Sequence, residues 1–213
     1  MTTLILTPTP LELRVLAPLL SPLLGAIEAR IELCGFGPIA SAARSMQLFA
    51  LHQPTHVVLV GIAGGLQSDL SIGTARNFQE VGCVGVGVGT GADHQSADTI
   101  GWKHWTSAGE SIGDLLPLAP RTIDKSKLGR KLLTVCAASA TDADVAMRVA
   151  QHADADAEEM EGFGVAMACS LAGVPLQIIR GISNRAGDRD KRNWDIEGAL
   201  RAAAELTWKA LSS

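Results

Sequence analysis

Four stretches of this chain place chemically capable side chains at the ends of short apolar runs or at a helix start. Glu12 follows "TLILTPTP", "GIAGG" (Gly61–Gly65) follows "HVVLV", three carboxylates crowd into "EEMEG" (Glu158–Gly162), and Asn184 closes "QIIRGISN" among Arg180, Arg185 and Arg189. A carboxylate just past a strand end can act as a general base, worth about 10² to 10⁴ in rate. A first-turn helix Glu, favoured by the dipole, is the ordinary alternative for Glu12. Like charges as close as Glu158, Glu159 and Glu161 repel, and a helix N-terminus offsets only about 0.3 to 1 kcal/mol for each. Arg180 lies inside an apolar run, where a guanidinium is costly unless paired; it is expected to brace a carboxylate or carbonyl beneath a site. Gly64 and Gly65 allow close backbone approach and, in a turn, free amides that hold an anion; a tight turn and nothing more is the other reading.

The elements that must position these residues alternate between strand and helix. "TLILT" is a short strand stopped by Pro8 and Pro10, and "LELRVLAPLL" carries a helical stripe. "AIEARIELCG" alternates as a strand, and Pro38 opens the helical "PIASAARSMQLFALH". "HVVLVGIAGGL" reads as a buried strand ending in a Gly turn, and "TARNFQEVGCVGVGV" as a further strand. Residues 90–128 have no clear period and read as a long excursion with short helices at most. "KLLTVCAA" resumes the sheet, Thr141 and Asp142 cap "DVAMRVAQH", "EMEGFGVAMACSLAGVP" is a helix closed by Gly173 and Pro175, "PLQIIRGI" is the last strand and "IEGALRAAAELTWKALSS" the last helix. This pattern predicts one α/β domain over residues 1–213, a three-layer α/β/α arrangement with a mixed, twisted central sheet. Ligands in such folds gather beyond the strand ends, where the four stretches lie.

Composition narrows the function classes. A net charge of -4 without long like-charge runs offers no basic stripe for nucleic acid and no polybasic segment for a membrane. The N-terminus has no basic segment followed by a long apolar run, so the expected location is the cytoplasm. Cys34, Cys83, Cys136 and Cys169 are far apart, with no C-x-x-C, and Gln53 and Pro54 separate His52 from His56; no metal is expected. "GFGPIA" fits a dinucleotide fingerprint, but no acidic residue closes the strand that follows. "GISNR" lacks the last Gly of a nucleophile elbow, and no P-loop occurs. A small molecule is the expected partner.

Glu12 after the first strand, "GIAGGL" after the third, "EEMEG", and "RGISN" at the end of the last strand together resemble the purine nucleoside phosphorylase and nucleosidase superfamily. The pieces arrive in the superfamily's order and span residue 3 to about residue 211. Within it, "MEGFGVAMACSLAGVPLQIIRGISNRAGDRD" followed by "WDIEGAL" is similar to the futalosine hydrolase branch, whereas methylthioadenosine nucleosidases carry an Asp where Asn184 stands. The resemblance implies cofactor-free hydrolysis of the N-glycosidic bond of futalosine, in menaquinone biosynthesis, by a homo-oligomer, commonly a dimer. Another purine nucleosidase or phosphorylase, or a nucleoside-binding protein without catalysis, is the alternative.

Under that resemblance the residues take roles. Glu12 accepts a proton from attacking water; Glu161 takes the ribose 2′- and 3′-hydroxyls; Met160 packs on the sugar; Glu158 and Glu159 are expected to be surface charges. Asn184 donates its amide to O6 of hypoxanthine and offers its carbonyl to a protonated N7; a turn cap is the alternative. Gly64 and Gly65 line the site. Phosphorylases of the superfamily carry an Arg in the first loop, in a pattern like G-D-P-x-R, but here that loop reads "TPTPLELR" with Arg14 on the helix, which favours water as nucleophile. Futalosine bears an aryl carboxylate on its 5′ side. Either Arg185 or Arg189 could meet it, or both are solvated loop charges. Trp102, Trp105 and Phe36 either cover the ligand or belong to the core.

Overall fold

A computed structural model describes residues 2–121 and 124–212. The N-terminal half runs β1 (Thr3–Thr7), α1 (Pro10–Ala26), β2 (Ala29–Leu33), α2 (Pro38–His52) and β3 (His56–Gly65), with β1 parallel to both β2 and β3. Local chemistry sets the boundaries. Thr9 caps α1 by accepting from the Glu12 amide, and Pro10 and Pro38 occupy first-turn positions, where a missing N–H costs nothing.

β4 (Ala75–Val84) leads into the irregular stretch. Two small antiparallel pairs form there, β5 (Gly87–Val88) with β6 (Gln95–Ser96) and β7 (Trp105–Ser107) with β8 (Glu110–Ile112), and β9 (Leu115–Pro117) returns to pair with β4. β10 (Leu128–Val135), α3 (Asp142–Gln151), β11 (Ala155–Glu159), α4 (Gly162–Ala172), β12 (Leu176–Arg185) and α5 (Ile196–Leu211) complete the chain. Thr141 and Asp144 make a reciprocal capping box at α3, and Gly173 closes α4 in the left-handed conformation at φ 66°.

The main sheet is mixed, in the order β11-β10-β4-β12-β3-β1-β2. Period-two alternation divides its side chains between two buried faces. Leu4, Leu6, Val57, Leu59 and Ile178 face a core shared with Phe163 and Val165 of α4 and Leu48 of α2. Ile5, Val58, Val60 and Ile179 face the other core, with Leu16 and Leu20 of α1 and Leu200 of α5. The expected α/β/α layering is therefore met. Gly164 marks how tightly α4 lies on α2: a Cβ there would stand 2.3 Å from the Pro38 carbonyl oxygen.

Two sequence expectations are corrected. Gly64 and Gly65 do not form a turn with free amides; they end β3 and are paired on both sides, with Asn184 and Arg185 of β12 and with Glu158 and Ala157 of β11. β11 thus bonds to β10 on one edge and back to β3 on the other, curling part of the sheet toward closure. Glu158 and Glu159 are not surface charges at a helix start: they end β11, at 4% and 5% exposure. "ADAEE" has little strand propensity of its own, and tertiary pairing on two edges overrides it.

Candidate active site

β1, β3 and β12 run parallel, and their C-terminal ends open on a cavity of about 430 Å³. Its lining includes Glu12, Gly64, Met160, Glu161 and Asn184, gathered from four separated parts of the chain.

Glu12 is buried in the first turn of α1, and both its oxygens are held. The Thr9 hydroxyl donates to Oε2 at 2.6 Å and the Ile62 amide to Oε1 at 3.0 Å. Below it lies Arg180, fully buried in β12, which donates through Nη2 to Glu159 and, at 3.3 Å, to Oε2 of Glu161. Burial opposes its charge, but attraction from Glu159, Glu161 and Glu12 prevails and holds the guanidinium protonated. Its Nε and Nη1 have no hydrogen-bond partner among the described residues. Gly61 leaves the room between Arg180 and Glu12: a Cβ at that position would sit 2.1 Å from Arg180 Nη1 and 2.6 Å from Glu12 Oε1. Only glycine lets these two groups share the space.

Glu159 is the anchor of this cluster. It accepts from the Thr134 hydroxyl at 2.5 Å and from the amides of Glu161 and Gly162 at 2.9 Å each, besides Arg180. Those amides belong to the N-terminus of α4, so the strand-end carboxylate caps the helix whose first residues form the site. Glu161 accepts from the Gly37 amide at 2.9 Å. Burial and then the nearby Glu159 push its pKa up to about 7, against the pull of Arg180 and the Gly37 amide.

On the neighbouring wall, the β3 to β12 pairing slips at Ser183, a bulge of the kind that re-aims side chains beside functional sites. Asn184 accepts from the Ser183 hydroxyl at 2.8 Å and donates to the Arg185 carbonyl at 2.7 Å. One amide hydrogen and one carbonyl lone pair remain for a ligand. Across Gly64, Glu158 binds Arg148 and the backbone and side chain of Ser139, and Ser139 and Ala138 line the cavity. Met160 lies on the lining with its other side packed near Leu133 and Val135.

The mouth is apolar. Leu11 and Phe36 are 52% and 65% exposed there, beside Trp194, over which the Arg189 guanidinium stacks at 5.2 Å from the ring centre. Among the described residues, Arg189 is the only basic side chain on a lining that carries four glutamates.

Several expected residues lie elsewhere. Arg180 braces the floor instead of lining the cavity, as the cost of a buried guanidinium anticipates. Gly65 is off the lining, and Arg185 turns away to donate to the Gln67 carbonyl at 2.8 Å. Trp102 is 71% exposed away from the cavity, and Trp105 packs on the core. Ser139 escapes the sequence reading, and the parts played by Thr9, Gly61 and Trp194 escape it although the stretches that hold them are singled out. Trp194 alone carried a signal, as an aromatic in the polar loop "DKRNWD" just beyond the last strand.

Residues 133–212 match the model of the Phosphorylase superfamily. The chain is 49% identical to a futalosine hydrolase from Acidothermus cellulolyticus over 70 residues, 33% of this chain and 29% of that protein. It is 33% identical to a futalosine hydrolase from Streptomyces coelicolor over 157 residues, 72% of this chain and 63% of that protein. The matched regions thus span less than two thirds of these two relatives. In fold, the futalosine hydrolase of Helicobacter pylori strain 26695 superposes with a TM-score of 0.76 at 17% identity, covering 100% of this chain and 97% of that one. The chain is thus similar to the phosphorylase superfamily over residues 133–212 and shares the fold of a futalosine hydrolase structure over its whole length.

Proposed function

We propose that the chain hydrolyses the N-glycosidic bond of futalosine, releasing hypoxanthine and dehypoxanthine futalosine in menaquinone biosynthesis. The observation that carries this reading is the convergence of Glu12, Glu161 and Asn184 on one cavity over a buried Arg180. Cleavage makes a cationic, oxocarbenium-like sugar, which buried carboxylates stabilise as its charge develops. Glu12, held by the Thr9 hydroxyl and the Ile62 amide on the cavity lining, is placed to orient a water and take its proton. Glu161 accepts from the ribose diol, and Met160 covers the sugar. Asn184 stabilises the departing base through its remaining donor and acceptor.

Water is favoured over phosphate on electrostatic grounds. Gly64 and Gly65 end a strand paired on both edges, and the interior cations already face carboxylates, Arg148 facing Glu158 and Arg180 facing Glu159 and Glu161. An inorganic phosphate among four glutamates would meet repulsion. Arg189, unlike Arg185, stands on the lining and makes no hydrogen bond or ion pair among the described residues, which suits the aryl carboxylate with Trp194 beneath the ring. The exposed Leu11 and Phe36 at the mouth support a homo-oligomer, in which a second copy covers this apolar rim.

Futalosine incubated with the protein, with and without phosphate, tests the reaction. Chromatography should find free hypoxanthine in both conditions. Release only with phosphate would make the protein a phosphorylase, and no release in either would end the enzymatic reading.

A further inference from the structure

The wall facing Asn184 carries a second polar side chain. Ser139 is 3% exposed and lines the cavity, yet both of its protons are taken by Glu158: its amide donates to Oε1 at 2.7 Å and its hydroxyl to Oε2 at 2.8 Å. The direction of the hydroxyl bond is forced. Glu158 ends a buried strand in an ion pair with Arg148, whose Nε lies 2.8 Å from Oε2, and a carboxylate so held only accepts. Arg148 Nε also reaches Ser139 Oγ at 3.4 Å, and its Nη2 donates to the Ala137 carbonyl at 3.3 Å, fixing the loop that carries Ser139. What the hydroxyl can offer the cavity is a lone pair and nothing else. Glu158 and Asn184 are each register partners of Gly64, on opposite edges of β3, so the two walls stand about 10 Å apart at the backbone, two strand spacings.

We propose that Ser139, polarised by Glu158 and Arg148, accepts the N1–H of a 6-oxopurine and so sets base specificity together with Asn184. The inference rests on the purine nucleosidase reading above. Along its six-membered edge hypoxanthine presents a donor at N1 and an acceptor at O6, and adenine presents the reverse at both positions. Asn184 retains an amide hydrogen for O6; Ser139 retains a lone pair for N1–H. Adenine in the same pose sets its N1 lone pair against that of Ser139, which leaves both unpaired in a buried site. Glu158 and Arg148 act through Ser139 and are positioning residues.

The test is kcat/KM for futalosine and for its 6-amino analogue, aminofutalosine, with calorimetric binding of free hypoxanthine and adenine as a readout independent of turnover. The wild type should favour the 6-oxo compound of each pair. Ser139→Ala should lower that preference about tenfold, through the 6-oxo member. Glu158→Gln sets an amide N–H against either Arg148 Nε or the Ser139 amide and so loosens the hold on the Ser139 hydroxyl; it should lower the 6-oxo preference as Ser139→Ala does. A merely structural role would weaken both members equally. Should Glu158→Gln fail to fold, Ser139→Ala, which removes one oxygen, carries the test. A wild type that discriminates and a Ser139→Ala variant with unchanged ratios would overturn the role of Ser139 and leave the nucleosidase reading intact. A wild type that neither cleaves the nucleosides nor binds either base would overturn both.

Discussion

Gly61→Ala should damage this protein out of proportion to one methyl group. The added Cβ would stand 2.1 Å from Arg180 Nη1, 2.6 Å from Glu12 Oε1 and 3.2 Å from Pro8 Cδ. To reach even 3.0 Å the guanidinium must retreat by about 0.9 Å, but Arg180 has no exposed surface and is tethered through Nη2 to Glu159. Overpacking of this kind costs about 1 to 3 kcal/mol. For a chain of 213 residues each kcal/mol lowers the melting temperature by about 2 to 4 °C, so a fall of about 2 to 12 °C is expected. The chemical cost should be larger, since the same methyl crowds Glu12 Oε1, and a displacement of the base near 1 Å is worth about 10² in rate. Thermal melting followed by circular dichroism and hypoxanthine release at saturating futalosine would measure the two effects. Gly25→Ala, inside α1 with nothing within 4 Å of its added Cβ, is the control and should be neutral or slightly stabilising. A Gly61→Ala protein that melts with the wild type and turns over at the wild-type rate would refute the claim that Glu12 and Arg180 share this space.

Glu12→Gln should leave substrate binding in place and lower turnover by at least about 10², measured as kcat against KM; near-wild-type turnover would remove Glu12 as the base. Glu161, with its pKa raised to about 7, stays protonated in the folded state over a range where the unfolded chain has lost that proton. Its burial therefore subtracts stability increasingly from about pH 4.5 to about pH 7, and is without effect below that window. Ribose hydroxyls donating to the carboxylate reverse the preference, so KM should fall as pH rises through 7, and Glu161→Gln should flatten that dependence; a flat wild-type profile would count against the ribose assignment. Asn184→Asp should lower kcat/KM on futalosine and raise relative activity on aminofutalosine, because a carboxylate opposes O6 with a second acceptor. An unchanged ratio would show that Asn184 does not read the base.

Sequence alone determined the layers and much of the site's membership. Apolar runs such as "TLILT" and "HVVLV" alternate between two faces, and capping and proline positions bound most helices, because these signals are local and need no distant partner. Glu12 and Asn184 were legible as polar residues past strand ends, and Glu161 as a carboxylate at a helix start. Only the tertiary structure decided what surrounds them. "ADAEE" is a strand because β10 and β3 supply its hydrogen bonds, and its acids are buried because Arg148, Arg180, Thr134 and Ser139 meet them from elsewhere in the chain. Gly64 and Gly65, a turn by local rules, are sheet residues for the same reason. Arg189 and Arg185 have similar polar neighbours in sequence, and only the path of the loop sends one to the cavity beside Trp194 and the other to Gln67. Burial and charge pairing are made by contacts between residues far apart in the chain, so they could be settled only once the sheet had brought those residues together.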